Sequence, residues 1–221
     1  MNDFKDKGYV KLEGFINKET SEILYAYVLL AKKRLETIGE EHDLDGVHPD
    51  LFGYFADVNN NPPSNAFNMY GDLVFDTLLL GKAKQLEELT DTKLIPQYSF
   101  ARLYETGSQL ESHMDRDSCE VSGTLCLGYE SDYDWPLWIE DKNKKEVAVE
   151  TKPGDVVVYQ GSVLKHWRQK FKGKNHAQVF FHFTRADGNY AETKFDGRKA
   201  LGMLSTMEWT PGKGRRDNAK V

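Results

Sequence analysis

From Leu94 onward the chain is a succession of short runs rich in Tyr, Phe, Val and Leu, broken by Gly, Asp, Asn and Lys. No other feature constrains the fold as much. Runs of this composition and spacing read as strands. They are expected over Tyr98–Tyr104, Gln109–Asp115, Val121–Gly128, Leu137–Glu140, Glu146–Thr151, Val156–Tyr159, Lys165–Gln169 and Ala177–Thr184. Evenly spaced short strands imply a sandwich or barrel.

The first part has a different texture. Phe4 to Ile16 reads as a helical turn followed by a strand with Tyr9, Val10 and Leu12, and Asn17 is a candidate N-cap. Ile23, Leu24, Tyr27, Leu30 and Leu35 recur at helical spacing across Glu19–Glu40, as do Leu73, Val74, Leu78, Leu79, Leu86 and Leu89 across Gly71–Leu89. Between these helices, His42–Ser64 carries acids, asparagines and Pro62-Pro63 and reads as a long loop. Helices first and strands afterwards predict an α+β layout. The 221 residues are expected to form one unit: a helical part over 1–92, a β core over 93–187 and a polar extension over 188–221 with a frayed end.

Composition narrows the function classes. A net charge of -6 argues against a chain built to coat nucleic acid, although Lys165, Lys170, Lys172 and Lys174 make a local basic cluster. Cys119 and Cys126 are the only cysteines, so no disulfide framework is expected and a reducing cytoplasm is the simplest setting. No run approaches the roughly 20 apolar residues that span a bilayer. The expected partner is a small-molecule or peptide substrate, with no role for membrane or nucleic acid.

Two histidines and a carboxylate on one face of a metal leave the opposite face open, as non-haem iron(II) oxygenases require. A His-x-Asp pair on a strand suits this, because residues two apart point to the same side. The pattern occurs twice here, as His48-Pro49-Asp50 in the predicted loop and as His113-Met114-Asp115 between two predicted strands. Only the second has the required context. Lys152-Pro153-Gly154-Asp155 is a tight turn feeding Val156–Tyr159, and His166 follows it as the candidate third ligand. His176 and His182 compete for that role. They share one face of the last strand with Gln178 and Phe180 and read as core histidines.

The segments RLYETGSQLESHMD, SGTLCLGYE and KPGDVVVYQGSVLKHWR, in that order, resemble the 2-oxoglutarate/Fe(II)-dependent dioxygenase superfamily, nearest to its prolyl-hydroxylase-like branch. The resemblance runs from about Tyr98 to Thr184, and GYVKLEGFINKET resembles the opening of many members more weakly. It implies a double-stranded β-helix (jelly-roll) core with supporting N-terminal helices. It also implies Fe(II) held by His113, Asp115 and His166, 2-oxoglutarate as cosubstrate, and O2. The implied reaction is hydroxylation of an unactivated C–H bond with release of succinate and CO2. A small residue stands at the Asp115 position in the halogenating relatives, so Asp115 implies oxidation without halide transfer.

The sequence departs from the family in two places. Members usually carry Arg or Lys about ten residues after the distal histidine, to pair with the far carboxylate of 2-oxoglutarate, and His176 stands there. Arg168 is the preferred substitute, because it lies two residues beyond His166 and should face the same cavity. Lys174 and Arg102 are further options, and Tyr104 sits where relatives place a tyrosine near the cosubstrate. The second departure is Trp135-Pro136-Leu137-Trp138, which alters a cavity wall. Arg116 and Glu120 read as surface charges at a strand end. The rival readings are a cupin-type jelly roll that adds His176 to its ligands and has no oxygenase activity, a degenerate binding module, and a nucleic-acid demethylase of the same superfamily.

Overall fold

In the computed structural model, residues 3–41, 54–56 and 66–202 are described. Helix α1 (Asp3–Lys7) and strand β1 (Tyr9–Leu12) precede the long helix α2 (Lys18–Glu41). Asn17 caps α2, its Oδ1 accepting from the Thr20 N–H at 2.8 Å. Strands β2 (Tyr54–Ala56) and β3 (Ala66–Tyr70) lead to α3 (Leu73–Thr90). Asp72 caps α3 by accepting from the N–H groups of Val74 and Phe75. Eight strands follow: β4 (Leu94–Glu105), β5 (Leu110–His113), β6 (Val121–Glu130), β7 (Leu137–Glu140), β8 (Glu146–Val149), β9 (Val156–Tyr159), β10 (His166–Arg168) and β11 (Asn175–Arg185).

The strands form two antiparallel sheets, a seven-stranded one in the order β1-β9-β6-β11-β4-β3-β2 and a four-stranded one in the order β5-β10-β7-β8. This is the jelly-roll core with helices packed on the larger sheet. The eight strands expected after Leu94 are present, β7 and β9 with the expected ends and the others shifted, β4 and β11 being longer than their apolar runs. Two expectations for the first part need correction. A boundary at residue 93 would cut the larger sheet, because β1 forms one of its edges and β2–β3 the other. Within the expected loop, Tyr54–Ala56 pairs with Phe67–Met69 as a strand. A three-residue strand is too short to show an alternating pattern. The remainder of that loop, with His48 and Asp50, lies outside the described residues.

The two-residue period of the strands divides the larger sheet into a dry face and a polar one. Ala101 and Leu103 of β4, Val121 and Leu125 of β6, Val156 and Val158 of β9, and Val179, Phe181 and Phe183 of β11 pack against α2 and α3 in the main core. The alternate residues of β11 (His176, Gln178, Phe180 and His182) are also buried, but on the face toward the smaller sheet. Two smaller clusters fill the space between the sheets. Leu137, Ile139, Val157, Tyr159 and Leu164 form one, and Tyr104, Trp135, Phe171 and Phe180 form the other.

The extension is ordered as far as it is described. A kinked 3-10 segment (Ala191–Gly197) lies along β4, and Arg198 behind it is fully buried. Arg198 pairs with buried Asp76 at 2.5 Å and donates to the carbonyl of Gln97 at 3.1 Å. A buried pair holds only when its remaining polar atoms are also satisfied. Asp76 meets this by accepting from Ser99 Oγ, the Ser99 N–H and the Gly202 N–H. No described helix is long and apolar enough to cross a membrane.

Candidate functional site

Strand β10 runs between β5 and β7, and its first residue, His166, stands opposite His113 at the end of β5. Asp115 lies two residues past His113, with its N–H on the carbonyl of Gly161 at 2.9 Å. The Nδ1–H of His113 donates to the Glu111 carbonyl at 2.8 Å, and that of His166 donates to the Leu164 carbonyl at 2.9 Å. A carbonyl can only accept, so both rings carry a proton on Nδ1 and face Asp115 with Nε2, which donates to the carboxylate when protonated and is free to bind a metal when it is not. The two Nε2 atoms lie 3.6 and 3.4 Å from Asp115 Oδ1, and the three ligand atoms fall within 4.8 Å of one another. Ligand atoms at about 2.1 Å from one ion and at right angles sit about 3 Å apart. The cluster therefore has the span of a cradle for one divalent cation.

The surroundings hold Asp115 as a carboxylate. Burial alone would push it up, but His113, His166 and the nearby His182 keep it well below the usual carboxylate range. Its Oδ2 accepts from Ser122 Oγ–H at 2.6 Å, and Ser122 in turn lies 3.0 Å from Nδ1 of His182. The His182 ring stacks on Tyr98 at 4.5 Å. Gly161 is required by space, since a Cβ there would come within 2.3 Å of both Asp115 Oδ2 and Ser122 Oγ. Burial lowers His113, yet Asp115 and the Glu111 carbonyl outweigh this and leave it raised.

Deeper between the sheets lies a second group. Arg168, at the far end of β10, is only 1% exposed. Its Nη1 donates to the Trp135 carbonyl at 2.7 Å and its guanidinium lies 4.8 Å above the Trp135 ring, while Nε and Nη2 have no partner. The groups that bear on its charge are Tyr104, Cys126 and Tyr159, none of them a carboxylate, and burial lowers its pKa. Tyr104 meets Trp135 edge-on at 5.0 Å, and its buried hydroxyl is also unpartnered. His176 meets the same indole edge-on at 5.5 Å, and its Nε2 is a third buried atom without a partner. Natural proteins leave few buried polar atoms unpaired. Three residues around one indole are therefore set for a ligand, and the donors on Arg168 call for an anion.

The structure thus brings His113, Asp115 and His166 together at one place and Arg168, Tyr104 and His176 at another. Arg168 does not belong to the basic hairpin, because Lys165, Lys170, Lys172 and Lys174 are exposed while it is buried. Lys174 is exposed and pairs with Glu130 at 2.8 Å. Arg102 donates to Asn68 at 2.6 Å and lies over the rings of Phe100 and Tyr104. Trp135 is buried among Tyr104, Arg168 and His176, whereas the partly buried Trp138 stacks on Trp167. Arg116 and Glu120 are not idle surface charges. Arg116 binds Asp196 at 2.7 Å over the Tyr98 ring, and Glu120 accepts from the Arg185 N–H at the end of β11. His176 stands apart from the metal cluster, so the four-ligand set of a cupin-type site does not form among the described residues.

Ser122 and Gly161 lie within the segments that carry the resemblance, but their contacts with Asp115 come only from the structure, as do those of Gln178 and Trp135 with His176. His182 is a buried strand histidine as read from the sequence, yet it also braces the Ser122 that holds Asp115.

No family model matches the chain, and no curated protein matches it in sequence. Solved structures do match it in fold. A prolyl-4-hydroxylase from Pseudomonas putida superposes with a TM-score of 0.60 at 17% identity, covering 83% of this chain and 95% of that one. The non-heme alpha ketoglutarate dependent carbocyclase SnoK from nogalamycin biosynthesis gives 0.64 at 12% identity, covering 90% and 89%. EctD from S. alaskensis, in a structure with bound Fe, gives 0.57 at 13% identity, covering 82% and 74%. Likeness at this identity establishes the architecture, and function has to come from the site.

Proposed function

We propose that this chain is an Fe(II)- and 2-oxoglutarate-dependent oxygenase that hydroxylates an unactivated C–H bond of a small-molecule or peptide substrate. One observation carries the reading. A three-residue metal cradle and a fully buried guanidinium with two N–H groups unpartnered sit at the two ends of one strand, His166 beginning β10 and Arg168 ending it. Such a charge is expensive to bury alone and calls for an anion. 2-Oxoglutarate offers what both ends need, a keto acid for the open face of a metal and a distal carboxylate for a guanidinium fork. The residues therefore fit both groups. The fold shared with 2-oxoglutarate-dependent enzymes supports the reading by analogy.

When bound, the iron, 2-oxoglutarate and O2 supply the oxidation, with succinate and CO2 as the cosubstrate's products. The chain's own residues set the conditions. His113 and His166 present Nε2 because their Nδ1 protons are committed to carbonyls, and Asp115 stays ionised with Ser122 fixing its second oxygen. Retention of Asp115 favours hydroxylation over halide transfer, since no small residue opens a position beside the histidines. Arg168 and Tyr104 orient the far carboxylate, while Trp135 and Phe171 exclude water from that end. Tyr159 packs against the His166 ring at 4.7 Å and keeps it from swinging out of place.

The test is an anaerobic titration of the purified protein with Fe(II) and 2-oxoglutarate. The expected result is a visible metal-to-ligand charge-transfer band that is lost in His113→Ala. No band at saturating ligand would sink the proposal.

A further inference from the structure

Building on this proposed function, we infer that Thr124 and Gln178 lock His176 as the Nε2–H tautomer, making it a neutral third donor to the distal carboxylate beside Arg168 and Tyr104. Gln178 is completely buried on β11. Its Oε1 accepts the hydroxyl hydrogen of Thr124 at 2.9 Å, which turns its Nε2 toward the ring of His176. That nitrogen lies 3.1 Å from Nδ1 of His176. An amide nitrogen only donates, so Nδ1 must accept and the ring proton resides on Nε2. Nε2 is the buried atom that lacks a partner. The ring cannot turn away to find one. Tyr129 stacks on it at 5.1 Å with planes 11° apart, and Trp135 and Phe171 close in edge-on at 5.5 and 5.9 Å.

The usual roles of a buried histidine are closed here. His176 lies outside the metal cluster, and its Nδ1 is already engaged. It is not a second cation either, because burial and Arg168 hold its pKa well below the ordinary imidazole value. What remains is a donor without charge. The bay then offers Arg168 Nε–H and Nη2–H, Tyr104 O–H and His176 Nε2–H around one indole. An ionised carboxylate has about four acceptor sites. One positive charge meets one negative charge, and a further cation would leave the bay overcharged. In this chain the tautomer of one residue therefore decides whether the family's missing basic anchor is replaced by an attractive contact or by a repulsive lone pair.

The experiment pairs nitrogen NMR with calorimetry. In 15N-histidine-labelled protein without ligand, His176 should show a protonated Nε2 and an unprotonated Nδ1, unchanged between about pH 5 and pH 8. With Mn(II) in the metal site under nitrogen, wild type should bind 2-oxoglutarate. His176→Phe should bind it about tenfold more weakly, and His176→Gln, whose amide N–H can replace Nε2–H, should stay within about threefold. Gln178→Glu can only accept from Nδ1, so it should reverse the tautomer and weaken binding at least as much as His176→Phe. Thr124→Val repeats that test more gently should the buried glutamate fail to fold, which thermal melting reveals. An Nδ1–H ring in wild type, or His176→Phe binding like wild type, overturns this inference and leaves the proposed function standing. A wild type that binds no 2-oxoglutarate overturns both.

Discussion

The two ends of the site are built on opposite principles. At the metal end nearly every polar atom has a partner in the protein, since both Nδ1 groups are on carbonyls and Asp115 is braced by Ser122. It also opens outward, with the His113 side chain 38% exposed. At the deep end Arg168, Tyr104 and His176 are fully buried and keep donors unpartnered. One end is finished apart from its ion. The other is held short of satisfaction by a rigid aromatic shell, and in the proposed function the cosubstrate completes it. A protein that leaves a buried guanidinium unpaired gives up stability at that site, as functional sites commonly do.

Four substitutions test this contrast, and the first should have the largest effect. Asp115→Ala removes the only carboxylate of the cradle, and iron binding followed by calorimetry should fall by more than about 100-fold. Arg168→Met should divide the two ends most cleanly. Loss of one member of a buried charge pair costs at least about 2 kcal/mol, so 2-oxoglutarate binding should weaken about 30-fold or more. The same change should raise the melting temperature of the ligand-free protein, because a buried unpaired charge is replaced by an apolar chain of similar length. A fall in ligand-free stability would mean that Arg168 is satisfied by the protein itself. Gly161→Ala drives a methyl group against Asp115 and Ser122. Metal affinity should drop about tenfold or more, with little change in the binding of the distal carboxylate. Ser122→Ala removes one hydrogen bond to Asp115 and should give the smallest effect, about tenfold in metal affinity.

The two ends also differ in how far the sequence reveals them. His113 and Asp115 are two residues apart on one strand, and His166 follows a recognisable turn, so spacing and context suffice for the metal end. The deep end joins β4, β10, β11 and the segment before β7, and no local pattern records that Tyr104, Arg168, His176 and Trp135 meet. The period-2 rule does place Arg168 and His166 on one side, which is why the sequence can single out Arg168 as an anchor candidate. It does not reveal burial, and the neighbouring lysines disguise Arg168 as part of a solvated hairpin. The strand runs after Leu94 are legible because apolar, aromatic and β-branched residues gather in short runs between turn residues. β2 and β3 are not legible in this way. β3 follows directly on the Asn- and Pro-rich stretch at 59–65, and its strand character comes from pairing with β4. The extension reads as polar because Asp196 and Arg198 are charged, yet both charges are used internally, on Arg116 and on Asp76.

The most direct test of the two-ended site is a crystal structure of the protein grown anaerobically with Mn(II) and 2-oxoglutarate. The account predicts one metal ion on Nε2 of His113, Nε2 of His166 and the carboxylate of Asp115. It predicts the distal carboxylate of 2-oxoglutarate against Nε and Nη2 of Arg168, within hydrogen-bond distance of Tyr104 and His176. A metal held with His176 among its ligands, or a distal carboxylate resting on Arg102 or Lys174 with Arg168 still unpaired, would contradict it.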